Sequence, residues 1–411
     1  MPTFKIKMIH FYFDTETRQE LWLEGRDRFL FLNKKSMHEY NRVVLIGNGF
    51  DKSLGLKTSY SDFVLRFLKD SFNKIGHNQP LNNSLLVDNN IRHQRWTKAN
   101  LDSIENSASP AELFRIAIGA GGNIQYPIRN LVDFKFDFFK RIVDEFSGSN
   151  VKWVDVEEFY FDVLNGYYKQ SLRKTLEAEF NEKIVELNKC VDALTDTLSA
   201  YLSEEVKNLS SKVIGKGMVR LMSNLMGEMN PDDYYHTWTY NPRFAPNQIL
   251  FLNFNYTNTL ESIPYLTSSE NAHINYIHGN LYDKNNPPIF GYGDDTYEDY
   301  LKFEVDGRKE LLRKIKTFHY PKTHNYRSFL GFINMKPFEV FIVGHSCGTS
   351  DKTMLKTIFE HPNCRAIKNF HYRGEPENFE KTMAISRIFQ NKAGMRSVIL
   401  PFDASATMNL D

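Results

Sequence analysis

The chain has 411 residues, 41% of them hydrophobic and 25% charged, and a net charge of +1. That balance can bury one large core or two moderate ones; it excludes an acidic disordered chain, and the missing basic excess argues against a dedicated nucleic-acid binder. Cys190, Cys347 and Cys364 are too few and too scattered for a disulfide framework or a four-cysteine zinc site, no apolar run approaches the roughly 18 residues of a membrane span, and the N-terminus lacks the order of a signal peptide, so a cytoplasmic protein without metal is expected.

Residues 1–41 mix aromatic and charged side chains without a clean period and read as an N-terminal extension, with Met37 as an alternative start. The first strand is "RVVLIG" from Arg42. It runs into Gly47, Gly49 and Gly55 and then a helix opened at Ser59, which stands three residues before Asp62 as a capping box requires. Strand, glycine-rich loop and helix follow in the order used by dinucleotide-binding folds, yet the third glycine of G-x-G-x-x-G would fall at Lys52. Residues 71–111 are polar and rich in Asn and read as an irregular excursion.

The middle of the chain reads as helical. "RNLVDFKFDFFKRIVDEF" carries one broad apolar face, and a stripe from Leu172 through Ile184, Val191 and Leu198 to Leu209 steps by three or four. The stripe suits a helix or helix pair packed within the molecule; a partner-binding coiled coil is the alternative, weakened by the absence of a sustained heptad. A homo-oligomer formed through this helical segment is one expected assembly.

After residue 248 the period returns to strands. "ILFLNFN", "AHINYIHG", "PPIFGYG", "EVFIVGHS", "RAIKNF" and "RSVIL" are short and apolar or alternating, and helical patterns such as "SDKTMLKTIFE" and "NFEKTMAISRIFQNK" separate the last of them. The expected fold is α/β: a Rossmann-like, mostly parallel sheet drawn from residues 42–70 and 248–411, interrupted by a large helical insertion over 71–247. Ligands of such sheets bind beyond the carboxyl ends of the strands. Four loops qualify, at 47–58, 253–259, 278–280 and 344–350, and they offer glycines, asparagines, a histidine and hydroxyls without an evident carboxylate cluster. That inventory suits a neutral or anionic polar ligand better than a metal ion.

"LIGNGFD", "GLKTSYSDF", "WVDVEE", "NFNYTNTLE", "YIHG", "FGYG" and "VFIVGHSCGTSD", in that order, resemble the pattern of the AbiH family of bacterial phage abortive-infection proteins, from Tyr40 to about Phe370. That family in turn looks like a distant branch of the sirtuin-like fold, which binds NAD in a Rossmann-like sheet. The resemblance implies that Gly47, Asn48, Gly49 and Asp51 hold phosphate and ribose. Gly344, Ser346 and Ser350 would take the adenosine side, and Ser59 and Thr257 complete the cofactor-binding candidates. It also implies His278 and Asn255 as catalytic residues. Asp51 and Thr257 depart from the sirtuin-like pattern, where a small hydroxyl residue and an acid stand, and the four cysteines of the deacylase zinc module are missing. NAD cleavage is therefore the expected chemistry, with protein deacylation disfavoured.

Residue chemistry is consistent with this. Breaking the nicotinamide glycosidic bond needs a group to take a proton from a ribose hydroxyl or water, for which His278 suits, and a group to orient water or carboxamide, for which Asn255 suits. Each has a plainer alternative. The glycines could serve only a tight turn, His278 and Asn255 could be structural, and Glu157 and Glu158 belong in the first turn of a helix, where its dipole favours acids. The basic run "RKELLRKIKTFHYPKTHNYR" reads as a solvated face.

Two rival functions remain. Gly344, Ser346 and Gly348 spell G-x-S-x-G, the context of a serine hydrolase elbow, but Asp351, His361 and His371 crowd too close behind it and Asp403 follows every histidine. The other rival is a non-catalytic sensor that binds NAD or a related nucleotide and signals to a partner protein or answers a phage-derived trigger. Hydride transfer is disfavoured, because Lys52 occupies the third glycine's place and no second strand supplies the ribose-binding acid.

Overall fold

The computed structural model describes residues 12–14, 19–24, 28–30, 40–81, 83–88, 98–117, 132–147, 155–209, 215–228, 245–295, 298–402, 405–408 and 410. Of the N-terminal extension it describes three short strands, Tyr12–Asp14, Gln19–Glu24 and Arg28–Leu30, paired antiparallel. The rest of residues 1–39, with Trp153, Val154 and Asp403, lies outside the described residues.

Six parallel strands form the main sheet: β1 (Asn41–Ile46), β2 (Gln248–Asn253), β3 (Ala272–Tyr276), β4 (Phe338–Val343), β5 (Cys364–His371) and β6 (Ala406–Thr407). Their spatial order is β3-β2-β1-β4-β5-β6, the doubly wound Rossmann order, which reverses direction between β1 and β4. The central strands are apolar on both faces because both are covered. Val43, Leu45, Leu250, Leu252, Val340 and Ile342 pack under α6 (Asn325–Met335), α7 (Lys352–Phe359) and α8 (Glu375–Ile388). On the other face Val44, Ile46, Phe251 and Val343 pack under α5 (Lys216–Met226).

Two expected strands are not strands. "PPIFGYG" is irregular, holding the chain through Tyr292, whose N–H donates to the Lys314 carbonyl and whose carbonyl accepts from the Lys316 N–H. "RSVIL" falls mostly in the helix Lys392–Val398, opened by Asn391, whose side chain accepts from the Gly394 N–H. A local cap there prevails over β-branched composition. The sixth strand comes instead from Ala406–Thr407.

After β1, α1 (Asn48–Ser53) packs Phe50 in the same core as Val44 and Ile46, and the helical layer begins with α2 (Tyr60–Gly76), opened by the expected Ser59–Asp62 capping box. Further along, α3 (Val156–Ser171) and α4 (Glu177–Lys207) pack together. The apolar stripe is one helix, α4, with Ile184, Leu187, Val191, Leu194, Leu198 and Leu202 buried in the layer's own core. Each such side chain contributes about 1.5–3 kcal/mol over exposure, so packing more than propensity holds the helix. Leu172 lies outside it and is exposed. The Asn-rich stretch read as irregular also packs: Leu85, Leu86 and Ile104 are buried in the same core. Phe290, Tyr292, Phe303 and Ile315 join that core as well, bringing the chain between β3 and β4 against the helices.

A buried ion pair fastens α5 to the sheet. Arg42 and Glu339 are register partners on β1 and β4, with Nε 2.5 Å from Oε1, and Arg42 Nη1 also donates to the carbonyls of Leu225 and Gly227 at the end of α5. The guanidinium thus satisfies helix-end carbonyls that have no partner within the helix. No helix among the described residues is long and apolar enough to cross a membrane.

Candidate functional site

A cavity of about 370 Å³ opens beyond the carboxyl ends of the strands, at the reversal between β1 and β4. Chain at or just after every one of the six strands contributes to its wall, from Gly47 after β1 to Met408 after β6, and α3 and α4 close it with Asp155, Glu157, Leu198 and Leu202. This is where doubly wound sheets take ligands. All eleven site residues expected from the sequence line it: Gly47, Asn48, Gly49, Asp51, Ser59, Asn255, Thr257, His278, Gly344, Ser346 and Ser350.

Their local roles differ. Gly47 and Gly49 donate their N–H groups to the carbonyls of Val343 and Gly344, at 3.1 and 2.9 Å, so these two amides join the loops after β1 and β4. Gly344 has φ +69°, and a Cβ there would stand 2.2 Å from the Phe50 nitrogen. Glycine is needed because two backbones touch. Asn255 ties a third loop to the first, Nδ2 donating to the Gly47 carbonyl at 3.1 Å.

Asp51 is buried beneath these loops. Its carboxylate accepts from the hydroxyls of Thr257 at 2.5 Å and Thr259 at 2.7 Å. Burial pushes its pKa up to about 6, against hydrogen bonds from Thr257, Thr259 and Asn255 that lower it. Asp51 and Thr257 therefore meet each other in the wall. Asn48 is exposed and accepts from Thr58, and the Ser59 hydroxyl is engaged with Asp62.

The inner end holds an ionic cluster. Lys316 is 1% exposed and places Nζ 2.7 Å from both Glu157 Oε2 and Asp351 Oδ1. Asp351 Oδ1 is also 3.3 Å from His278 Nε2, and its Oδ2 is 3.4 Å from His345 Nε2. Asp155 caps α3 through the Glu157 and Glu158 N–H groups and accepts from the Ser350 hydroxyl at 3.1 Å. Phe254 lies edge-on to both imidazoles, and Tyr320 stands parallel to His278 with ring centres 6.4 Å apart.

These environments push the ionisations apart. Burial lowers His278 to about 3, and the Lys316 charge adds to it. For His345 burial also disfavours the imidazolium, but Asp351 foremost, with Cys347 adding to it, outweighs burial and raises the ring to about 9; the Cys347 N–H stands 3.0 Å from its Nδ1. Asp351 is held well below the usual carboxylate range, since Lys316 and the two histidines outweigh burial. Glu157 rises to about 7, mainly by burial, with Asp351 and Asp155 adding to it and Lys316 opposing. The Phe254 carbonyl takes a hydrogen bond from the His278 ring, and Nε2 has no hydrogen-bond partner despite the nearby Asp351 oxygen. An imidazole lone pair thus faces a carboxylate inside the cavity.

Glu157 and Asp351 sit in motifs the sequence reading singled out, but their convergence on one cavity was not apparent, and the four loops read alone lacked a carboxylate cluster. Lys316 gave no signal, lying in a basic run read as solvated. The glycine-flanked serine does not form an elbow. Ser346 is exposed, and the left-handed residue of the turn is the next one, Cys347, with φ +57° and a buried thiol. His345 turns its nitrogens to the Cys347 N–H and Asp351. Among the described residues no group of three or more His, Cys, Asp or Glu is arranged to hold a metal ion, and all three cysteines are free and buried.

The family model described as bacteriophage abortive infection AbiH matches residues 43–372, a span that reaches through β5 and includes all eleven expected site residues, from Gly47 to Ser350. No curated protein matches the chain.

Proposed function

The chain belongs to the AbiH family of bacteriophage abortive infection, and on that footing we propose that it binds NAD or a closely related dinucleotide in the cavity and hydrolyses the bond between ribose and nicotinamide. The observation that carries this reading is the buried His278 ring, whose Nε2 has no hydrogen-bond partner at the strand-order reversal of a doubly wound sheet.

In the proposed step water attacks the anomeric carbon while the carbon–nitrogen bond breaks, and that bond's electron pair leaves on the nicotinamide nitrogen, neutralising the pyridinium. The water's proton passes to His278 Nε2. A ring held near 3 is a weak base at rest, so the reading requires Asp351, 3.3 Å away, to stabilise the imidazolium as it forms. Asp351, with Asp155 alongside it in the cavity wall, also favours the positive charge of an oxocarbenium-like transition state. Asn255, fixed on the Gly47 carbonyl, orients the water.

A second reading keeps the ligand and omits the reaction. Glu157 on α3 is joined through Lys316 to Asp351 after β4, a connection by which a nucleotide sensor could pass occupancy to the helical layer. Purified protein incubated with NAD separates the two. Release of nicotinamide that is lost in folded His278→Ala and Asn255→Ala supports hydrolysis; NAD that binds and stays intact supports the sensor, and no binding overturns both.

A further inference from the structure

Lys316 does not line the cavity, yet it is almost wholly buried just behind it, with its ammonium between Glu157 and Asp351. Its backbone is fixed independently, the N–H donating to the Tyr292 carbonyl at 2.9 Å and the carbonyl accepting from His319 at 2.8 Å. A buried ammonium is costly unless matched, and here two carboxylates match it. We infer that Lys316 is the positioning residue of the site: it holds Asp351 as a carboxylate between the two histidines and keeps the proton off His278 Nε2.

The geometry leads to this in two steps. Asp351 Oδ1 is shared, with Lys316 Nζ at 2.7 Å and His278 Nε2 at 3.3 Å, so the lysine satisfies the oxygen that would otherwise draw a proton onto the ring. On its other side Lys316 holds Glu157 Oε2 at 2.7 Å, while Glu157 Oε1 accepts from the Gly291 N–H at 3.2 Å. Without the ammonium, Asp351 faces only His278 and His345, and Glu157 faces Asp155 and Asp351. The buried acids then need protons, taken up by Glu157 and by an imidazole. Tyr256 and Tyr320, the other titratable groups beside the lysine, are held neutral, their ionisation raised well above its usual range by burial.

The functional consequence rests on the proposed hydrolysis; the protonation itself does not. Full-length protein with labelled histidine is titrated by NMR without substrate, comparing wild type, Lys316→Met and Lys316→Arg. His278 in the wild type should stay neutral between about pH 5 and 8. In Lys316→Met it should ionise at a pH about 1–3 units higher than in the wild type, and Lys316→Arg should restore the wild-type behaviour. The double variant Lys316→Gln with Glu157→Gln, which leaves no unmatched charge on that side, should show the same shift if Lys316→Met does not fold. An unchanged His278 titration in a folded variant lacking the lysine charge overturns the inference. In the activity arm, nicotinamide release by Lys316→Met should show its acid limb displaced upward by a similar interval, with kcat more affected than KM. If the wild type releases no nicotinamide, the hydrolysis reading fails while the NMR comparison still decides the role of Lys316.

Discussion

His278 turns Nε2 toward Oδ1 of Asp351 across 3.3 Å, and both side chains are buried. The contact stabilises only the protonated ring, so it has little value at rest and most when a proton arrives. Asp351→Asn is expected to lower kcat for nicotinamide release at least about 100-fold, with a smaller change in KM. Single-turnover measurement checks this; a variant with unchanged kcat would remove Asp351 from the reaction.

Asp51 should act on stability through its charge. Its folded pKa of about 6 lies above the ordinary 3.8, so between those values the folded chain holds a proton that the unfolded chain has released. That contribution is present at low pH and lost as pH rises through about 6. Wild type should therefore lose roughly 1–3 kcal/mol relative to Asp51→Asn between pH 4 and 7, followed by urea denaturation. Asp51→Ala, which strands the Thr257 and Thr259 hydroxyls, should cost about 2 kcal/mol or more at every pH.

The Arg42–Glu339 pair offers a test of the framework away from the cavity. Arg42→Met leaves a buried carboxylate without its main counter-ion and should cost about 3–5 kcal/mol. Adding Glu339→Leu should recover much of that loss, though not the guanidinium contacts to Leu225 and Gly227. A double variant no more stable than Arg42→Met would contradict the assignment.

Ser346 distinguishes hydrolysis of NAD from serine chemistry. Exposed at the cavity wall, it should contribute to binding alone, so Ser346→Ala should raise KM several-fold and leave kcat within about twofold. Collapse of kcat, together with fluorophosphonate labelling of the wild type, would favour a nucleophilic serine.

The fold was readable where short apolar runs of strand length stood, as at 42–47, 249–255 and 339–346, because strands of a sheet covered on both faces leave that pattern. It was misread at "PPIFGYG" and "RSVIL", where contacts between distant segments and a single Asn cap decided the conformation. The loop residues of the cavity were visible for a similar reason: they follow strands, and the strand ends converge. What local sequence could not reveal was pairing across long separations. Lys316 meets Glu157 from 159 residues away, and Asp51 meets Thr257 from 206. The two glycines after β1 carry the same lesson. Their spacing suggested a phosphate, whereas the short distance they allow is between Gly49 and Gly344, some three hundred residues along the chain.

The central claim is most directly tested in bacteria challenged with phage. NAD and nicotinamide are followed by mass spectrometry in cells carrying wild type or His278→Ala at matched protein levels. The account predicts that NAD falls, with nicotinamide and ADP-ribose appearing in equal amounts, in wild-type cells alone, and that only those cells abort the infection. A constant NAD pool in a culture that still aborts infection would contradict it.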